Sequence, residues 1–104
     1  MKLARLAVVA ACLVASTAAL ADIEADRDAG LCAAYAELSG KPKAIEDALR
    51  MADDFERAGV FALEAIAQVN RWRERGQWTQ AVQQGWASRG VAACSRIGIR
   101  VSDY

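Results

Sequence analysis

The side chains able to do chemistry in this 104-residue chain are three cysteines and thirteen Asp and Glu residues, with no histidine anywhere. The missing histidine removes the commonest general base near neutral pH, and with it the Ser–His and Cys–His nucleophile pairs. No Gly-x-Ser-x-Gly turn, phosphate-cradling glycine loop or dinucleotide fingerprint occurs. Carboxylate-only catalysis is the enzymatic route left, with Asp53, Asp54 and Glu56 as its candidates. Those three also fall on the polar side of an amphipathic helix, which accounts for them without any reaction. The chain therefore reads as non-catalytic and without a cofactor.

The alternating acids Asp22, Glu24, Asp26 and Asp28 suggest calcium, but a calcium loop of the EF-hand type needs Gly at its sixth position and Glu at its twelfth. Counting from Asp22, those places hold Arg27 and Ala33; counting from Glu24, Ala29 and Tyr35. Both registers fail, and the acids read instead as a helix start, where the backbone dipole favours negative charge. Two distant thiols without histidine also fall short of a four-ligand zinc site. No metal is expected.

Residues 1–21 have the three parts of a secretory signal. Lys2 and Arg5 open it, an uncharged apolar run covers 6–20, and Ala19-Leu20-Ala21 places small residues where a signal peptidase cuts. The run is shorter than the roughly 20 apolar residues of a spanning helix, and Ser16 and Thr17 interrupt it. Cys12 lies inside it and reads as part of the apolar core, not as a lipid attachment point. The expected product begins at Asp22, carries no membrane anchor, and reaches the periplasm or the exterior of a bacterium. In that oxidising compartment Cys32 and Cys94, the two cysteines left, are expected to join in a disulfide.

A domain over 22–104 is small, and domains of this size often need a covalent staple. It keeps 11 of the 13 Lys and Arg and all 13 Asp and Glu, a slight acidic excess that argues against a nucleic-acid binder. The charges are unevenly spread. Residues 22–64 carry 11 acids and 5 bases, while 65–104 carry 2 acids and 6 bases. The halves could pack on each other or offer two surfaces.

The elements that position these groups read as an all-α bundle of three to four short antiparallel helices around Leu, Ile, Phe, Val and Trp. The first helix covers 23–38, with Leu31, Ala34, Tyr35 and Leu38 on one face and Ser39-Gly40 as its stop. Pro42 suits the first turn of the second. Ile45, Ala48, Leu49, Ala52 and Phe55 then form an apolar stripe, beside a solvated row of Glu46, Arg50, Asp53 and Arg57, and Gly59 breaks the helix. A third helix over 60–75 groups Phe61, Ala65, Val69 and Trp72, with Gly76 as its end. The fourth starts from Thr79 as N-cap and runs towards Ile97. Gly85 and Gly90 weaken it by about 1 kcal/mol each, or permit a close helix approach. The alternation in 97–101 reads as a tail or packed extension.

Near the third helix end, Arg71 and Arg75 share a face while Arg73 points nearly opposite, at about 100° per residue. Arginines there suit the helix dipole. Trp78 and Trp86 read as core or edge packing; one left exposed beside Arg71 or Arg75 would make a contact point for a partner protein. The pattern Trp72-x-x-x-Gly76-x-Trp78-x-x-Ala81 resembles the aromatic, glycine and alanine spacing of a tetratricopeptide repeat. It covers four positions and implies a helix–turn–helix pair. Offset by about 37 residues, where the repeat is usually about 34, Tyr35, Ser39 and Ala44 fall at matching places but Lys41 replaces the second aromatic, and arrays generally need about three copies.

The functional expectation is a small exported envelope protein that binds another protein, as an inhibitor or immunity-type partner does. The alternative is a periplasmic stress or chaperone-like protein, and a carboxylate-based enzyme stands third. Oligomeric state is left open.

Overall fold

The computed structural model describes residues 23–104, and the signal-peptide reading of 1–21 lies outside them. Four α-helices follow one another: α1 (23–38), α2 (Pro42–Arg50), α3 (Phe55–Glu74) and α4 (Gln80–Arg96), with a 3₁₀ turn over Val101–Asp103. Among the described residues there is no strand.

The helix boundaries follow from local chemistry. At the end of α1, Gly40 takes a left-handed φ of 68° and lets Lys41 N–H reach the Ala36 carbonyl at 2.9 Å. Gly76 repeats this device after α3, where Gln77 N–H donates to the Trp72 carbonyl at 2.7 Å. The Trp72 to Ala81 stretch is thus a helix–turn–helix, as its spacing implies. Pro42 opens α2, and Thr79 caps α4 by accepting from Val82 N–H at 3.3 Å.

The α2–α3 boundary departs from the sequence expectation. α2 stops at Arg50, α3 begins at Phe55, and Gly59 lies inside α3. The break is made by aspartates. Asp54 is the N-cap of α3 and accepts from Arg57 N–H at 3.0 Å. Asp53 and Asp54 therefore belong to a cap, and the charged row expected along α2 stops at Glu46 and Arg50.

Pairings along α1 fix the topology. Asp28 meets Arg96, Cys32 meets Cys94, and Tyr35 meets Gly90 and Trp86, so α4 runs antiparallel to α1. Asp26 meets Asp53, Asp54 and Arg57, while Gly30 meets Ala58 and Phe61, so α3 runs parallel to α1. α2 returns the chain from the far end of α1 to its start. Consecutive helices reverse, but α1 and α3 are parallel neighbours, a qualification of the all-antiparallel expectation.

α1 is the buried centre, and small side chains make the core. Ala29, Cys32, Ala33, Ala34 and Ala36 of α1 are buried, with Ala44, Ala48, Ala58, Ala62 and Ala93 around them. Of the large types expected inside, only Val69, Trp86 and Ile99 are buried among the described residues; Leu31, Leu38, Ile45, Leu49, Ile66 and Trp72 pack half-buried at the edge. Close approach explains the inversion. A Cβ on Gly30 would stand 2.6 Å from the Ala58 carbonyl and Phe61 Cβ, and one on Gly90 would stand 2.6 Å from Tyr35 Cβ and Cγ. Gly90 thus permits a close helix approach, whereas Gly85 faces open space.

The end of the chain is a packed extension. Ile99 is buried, Tyr104 donates its hydroxyl to Asp47 at 2.5 Å, and Lys41 donates to the backbone oxygen of Tyr104. That hydroxyl bond, together with burial and the nearby charges of Asp47 and Asp103, raises the Tyr104 pKa above its ordinary value.

Candidate functional site

The residues singled out by sequence fall in two places. Cys32 and Cys94 are both buried and stand at disulfide distance, with Cα atoms 4.7 Å apart. They tie α1 to α4 in the middle of the core, where no ligand reaches them. Arg96 reinforces the same junction, donating through Nε and Nη2 to the Asp28 carboxylate at 3.0 and 2.9 Å. These bonds, then the Asp28 charge, raise the Arg96 pKa.

Arg71, Arg75, Trp78 and Trp86 do not form one partner-facing patch. Trp86 is only 6% exposed, held between Tyr35 at 5.9 Å and Trp78 at 6.1 Å between ring centroids. Trp78 is half-buried and stacked on Trp72 at 5.9 Å, with the Arg73 guanidinium 5.5 Å from its ring centroid. Both tryptophans are committed to an aromatic ladder joining α3, its turn, α4 and α1. Arg71 and Arg75 are exposed, and Arg71 donates to Gln68 Oε1 at 2.6 Å.

Asp26 is the charged residue whose place the sequence reading missed. It is 0% exposed, yet satisfied: Asp53 and Asp54 N–H donate to Oδ1 at 2.9 and 3.0 Å, and Arg57 Nε donates to Oδ2 at 2.6 Å. Burial is the largest single influence and opposes its charge. The Asp54 N–H, the Arg57 guanidinium and the Asp53 N–H together outweigh burial and hold the pKa below the ordinary carboxylate value. A carboxylate so occupied is a clamp on the start of α3. It has no free lone pair aimed at solvent with which to act as a base.

The surface that stands out is apolar. Leu63 is 68% exposed, Phe55 62% and Val60 54%, all on the first half of α3. Beside them runs a groove between α2 and α3. Ile45 and Leu49 form one wall, Val60, Leu63 and Ile66 the other, and Ala33 and Ala62 the floor. Among the described residues, Glu37 and Glu56 are its only charged lining residues. The cause is local: α2 is nine residues long against twenty for α3, so it leaves much of α3 uncovered. Sequence reasoning had placed Phe55 inside, at the end of an α2 stripe that the Asp54 cap cuts off. The Val60 and Leu63 spacing did carry a signal, since both fall on the face of α3 opposite Ala58, Ala62, Ala65 and Val69.

Among the described residues no three Cys, Asp or Glu side chains gather as metal ligands, and no helix is long and apolar enough to cross a membrane. In comparisons with known proteins, no family model, curated protein or solved structure matches the chain.

Proposed function

We propose that this chain is an exported, non-catalytic protein that binds another protein, and that a helix of that partner lies in the α2–α3 groove. The supporting observation is the row of exposed Val60 and Leu63 on a groove walled by Ile45, Leu49 and Ile66. Contiguous exposed apolar surface is the usual mark of an interaction site on a small stable domain, and an apolar channel beside a long helix suits a helix-in-groove contact. The export half of the proposal rests on residues 1–21 and on two cysteines buried at disulfide distance.

Leu63→Gln, neutral and helix-compatible, tests the binding half. Exported wild-type protein should retain one stoichiometric partner, and Leu63→Gln should lose it while melting normally. Retention of many unrelated, unfolded clients would favour the chaperone-like alternative, which also draws on exposed apolar surface. Undiminished capture by Leu63→Gln would remove the groove from the account. The N-terminus of exported material should be Asp22, and recovery of intact Met1 protein in the membrane would overturn the signal-peptide assignment.

A further inference from the structure

We infer that the groove selects a cationic amphipathic helix, one with an apolar stripe flanked by Lys or Arg; this rests on the groove being a protein-binding site. Among the described residues, its lining carries Glu37 and Glu56 but no Lys or Arg. Glu46, next to Ile45 on α2, and Glu64, next to Leu63 on α3, are also exposed. The ion pairs among the described residues are Arg50–Asp47, Arg57–Asp26 and Arg96–Asp28, so none of these four glutamates is paired among them.

Four of the five bases of this acidic half are committed elsewhere, and the fifth, Lys43, is exposed on α2 and is not among the described residues lining the groove. Arg57 turns to Asp26, Arg50 to Asp47, Lys41 to the Tyr104 backbone oxygen, and Arg27 lies 5.4 Å from the Phe61 ring centroid. The apolar channel thus sits between carboxylates that the molecule's own cations leave open. From Glu56 to Ile66 it follows α3 for about 15 Å at 1.5 Å per residue, some three turns of a partner helix. Opposite charge along such a rim speeds encounter and rejects acidic helices that match the apolar stripe equally well.

The test uses two synthetic helices of roughly 18 residues, about five turns. Both carry the same leucines at i, i+3, i+4 and i+7, one flanked by Lys and the other by Glu. Binding to the oxidised, exported protein is followed by fluorescence anisotropy. The Lys peptide should bind about tenfold more tightly, and rising salt should shrink that margin. Changing both Glu37→Lys and Glu56→Lys should abolish the preference, since Glu46 and Glu64 remain, and Leu63→Gln should weaken the Lys peptide.

Equal or tighter binding of the Glu peptide overturns the charge inference and leaves the binding site in place if Leu63→Gln weakens both. Binding of neither peptide, with partner capture still dependent on Leu63, likewise removes only the charge inference. A dimer of this chain that Leu63→Gln dissolves would show that the groove is filled by a second copy. Partner capture indifferent to Leu63 removes the site itself.

Discussion

The face of α1 turned to α3 and α4 and the outer face of α3 are built on opposite terms. Around α1 the helices touch through glycine and alanine, two cysteines stand at disulfide distance, and even a buried carboxylate has every partner it needs. On the first half of α3, the larger side chains Phe55, Val60 and Leu63 lie exposed. Tight packing leaves no room for a ligand, while an uncovered apolar face adds little to the fold. The two regions therefore divide stability from recognition, and substitutions should separate along the same line.

The largest effect belongs to the core. Cys32 and Cys94 are 62 residues apart in sequence, so a bond between them closes a long loop. Removing it through Cys94→Ser should cost about 4 kcal/mol on the loop-entropy model. At roughly 4–8 °C per kcal/mol for a domain of this size, the melting temperature should fall by more than 15 °C. Free thiols in native exported protein, found by alkylation, would refute the bond.

Asp26→Asn comes next, at about 2 kcal/mol, because it replaces charge-assisted bonds with weaker ones and misplaces a donor against the Asp53 and Asp54 N–H groups. Its pH signature is specific. A folded pKa below the ordinary value means that Asp26 contributes its stability above the ordinary carboxylate range, and that this is lost as pH falls through the folded pKa. Melts of wild type should weaken on acidification in that window, and Asp26→Asn should flatten the dependence.

A glycine pair sharpens the contrast further. Gly30→Ala puts a Cβ 2.6 Å from the Ala58 carbonyl and should destabilise by about 1–3 kcal/mol. Gly59→Ala meets nothing within 4 Å and should stabilise α3 by up to about 1 kcal/mol. Equal shifts of the same sign would break the distinction between the buried and the outer side of α3.

The helices themselves were legible where local chemistry decides them. The span of α1, the Gly40 and Gly76 stops, Pro42 and the Thr79 cap all follow from residue type. The Cys32–Cys94 proximity was legible as well, because few cysteines leave few choices. What escaped depended on tertiary contact. Asp53-Asp54 looks like a polar helix face until Asp26 from another helix takes both N–H groups. Asp26 itself shares a face with Ala29, Gly30 and Ala33, an i, i+3, i+4, i+7 row, but small residues give a weak apolar signal. Phe55 continues the apolar spacing of Ile45, Leu49 and Ala52 and so reads as interior until the Asp54 cap ends that register, and the groove appears only once α2 is seen to be short.

The central claim is that recognition lies on the outer face of α3 and stability around α1. The direct measurement is a thermal melt paired with partner capture on Leu63→Gln and Asp26→Asn in parallel. Leu63→Gln should melt within about 0.5 kcal/mol of wild type, as exposed substitutions do, and lose its partner. Asp26→Asn should melt lower and, at a temperature where it remains folded, keep the partner. A Leu63→Gln protein that melts several degrees lower, or that retains its partner in full, would contradict the account.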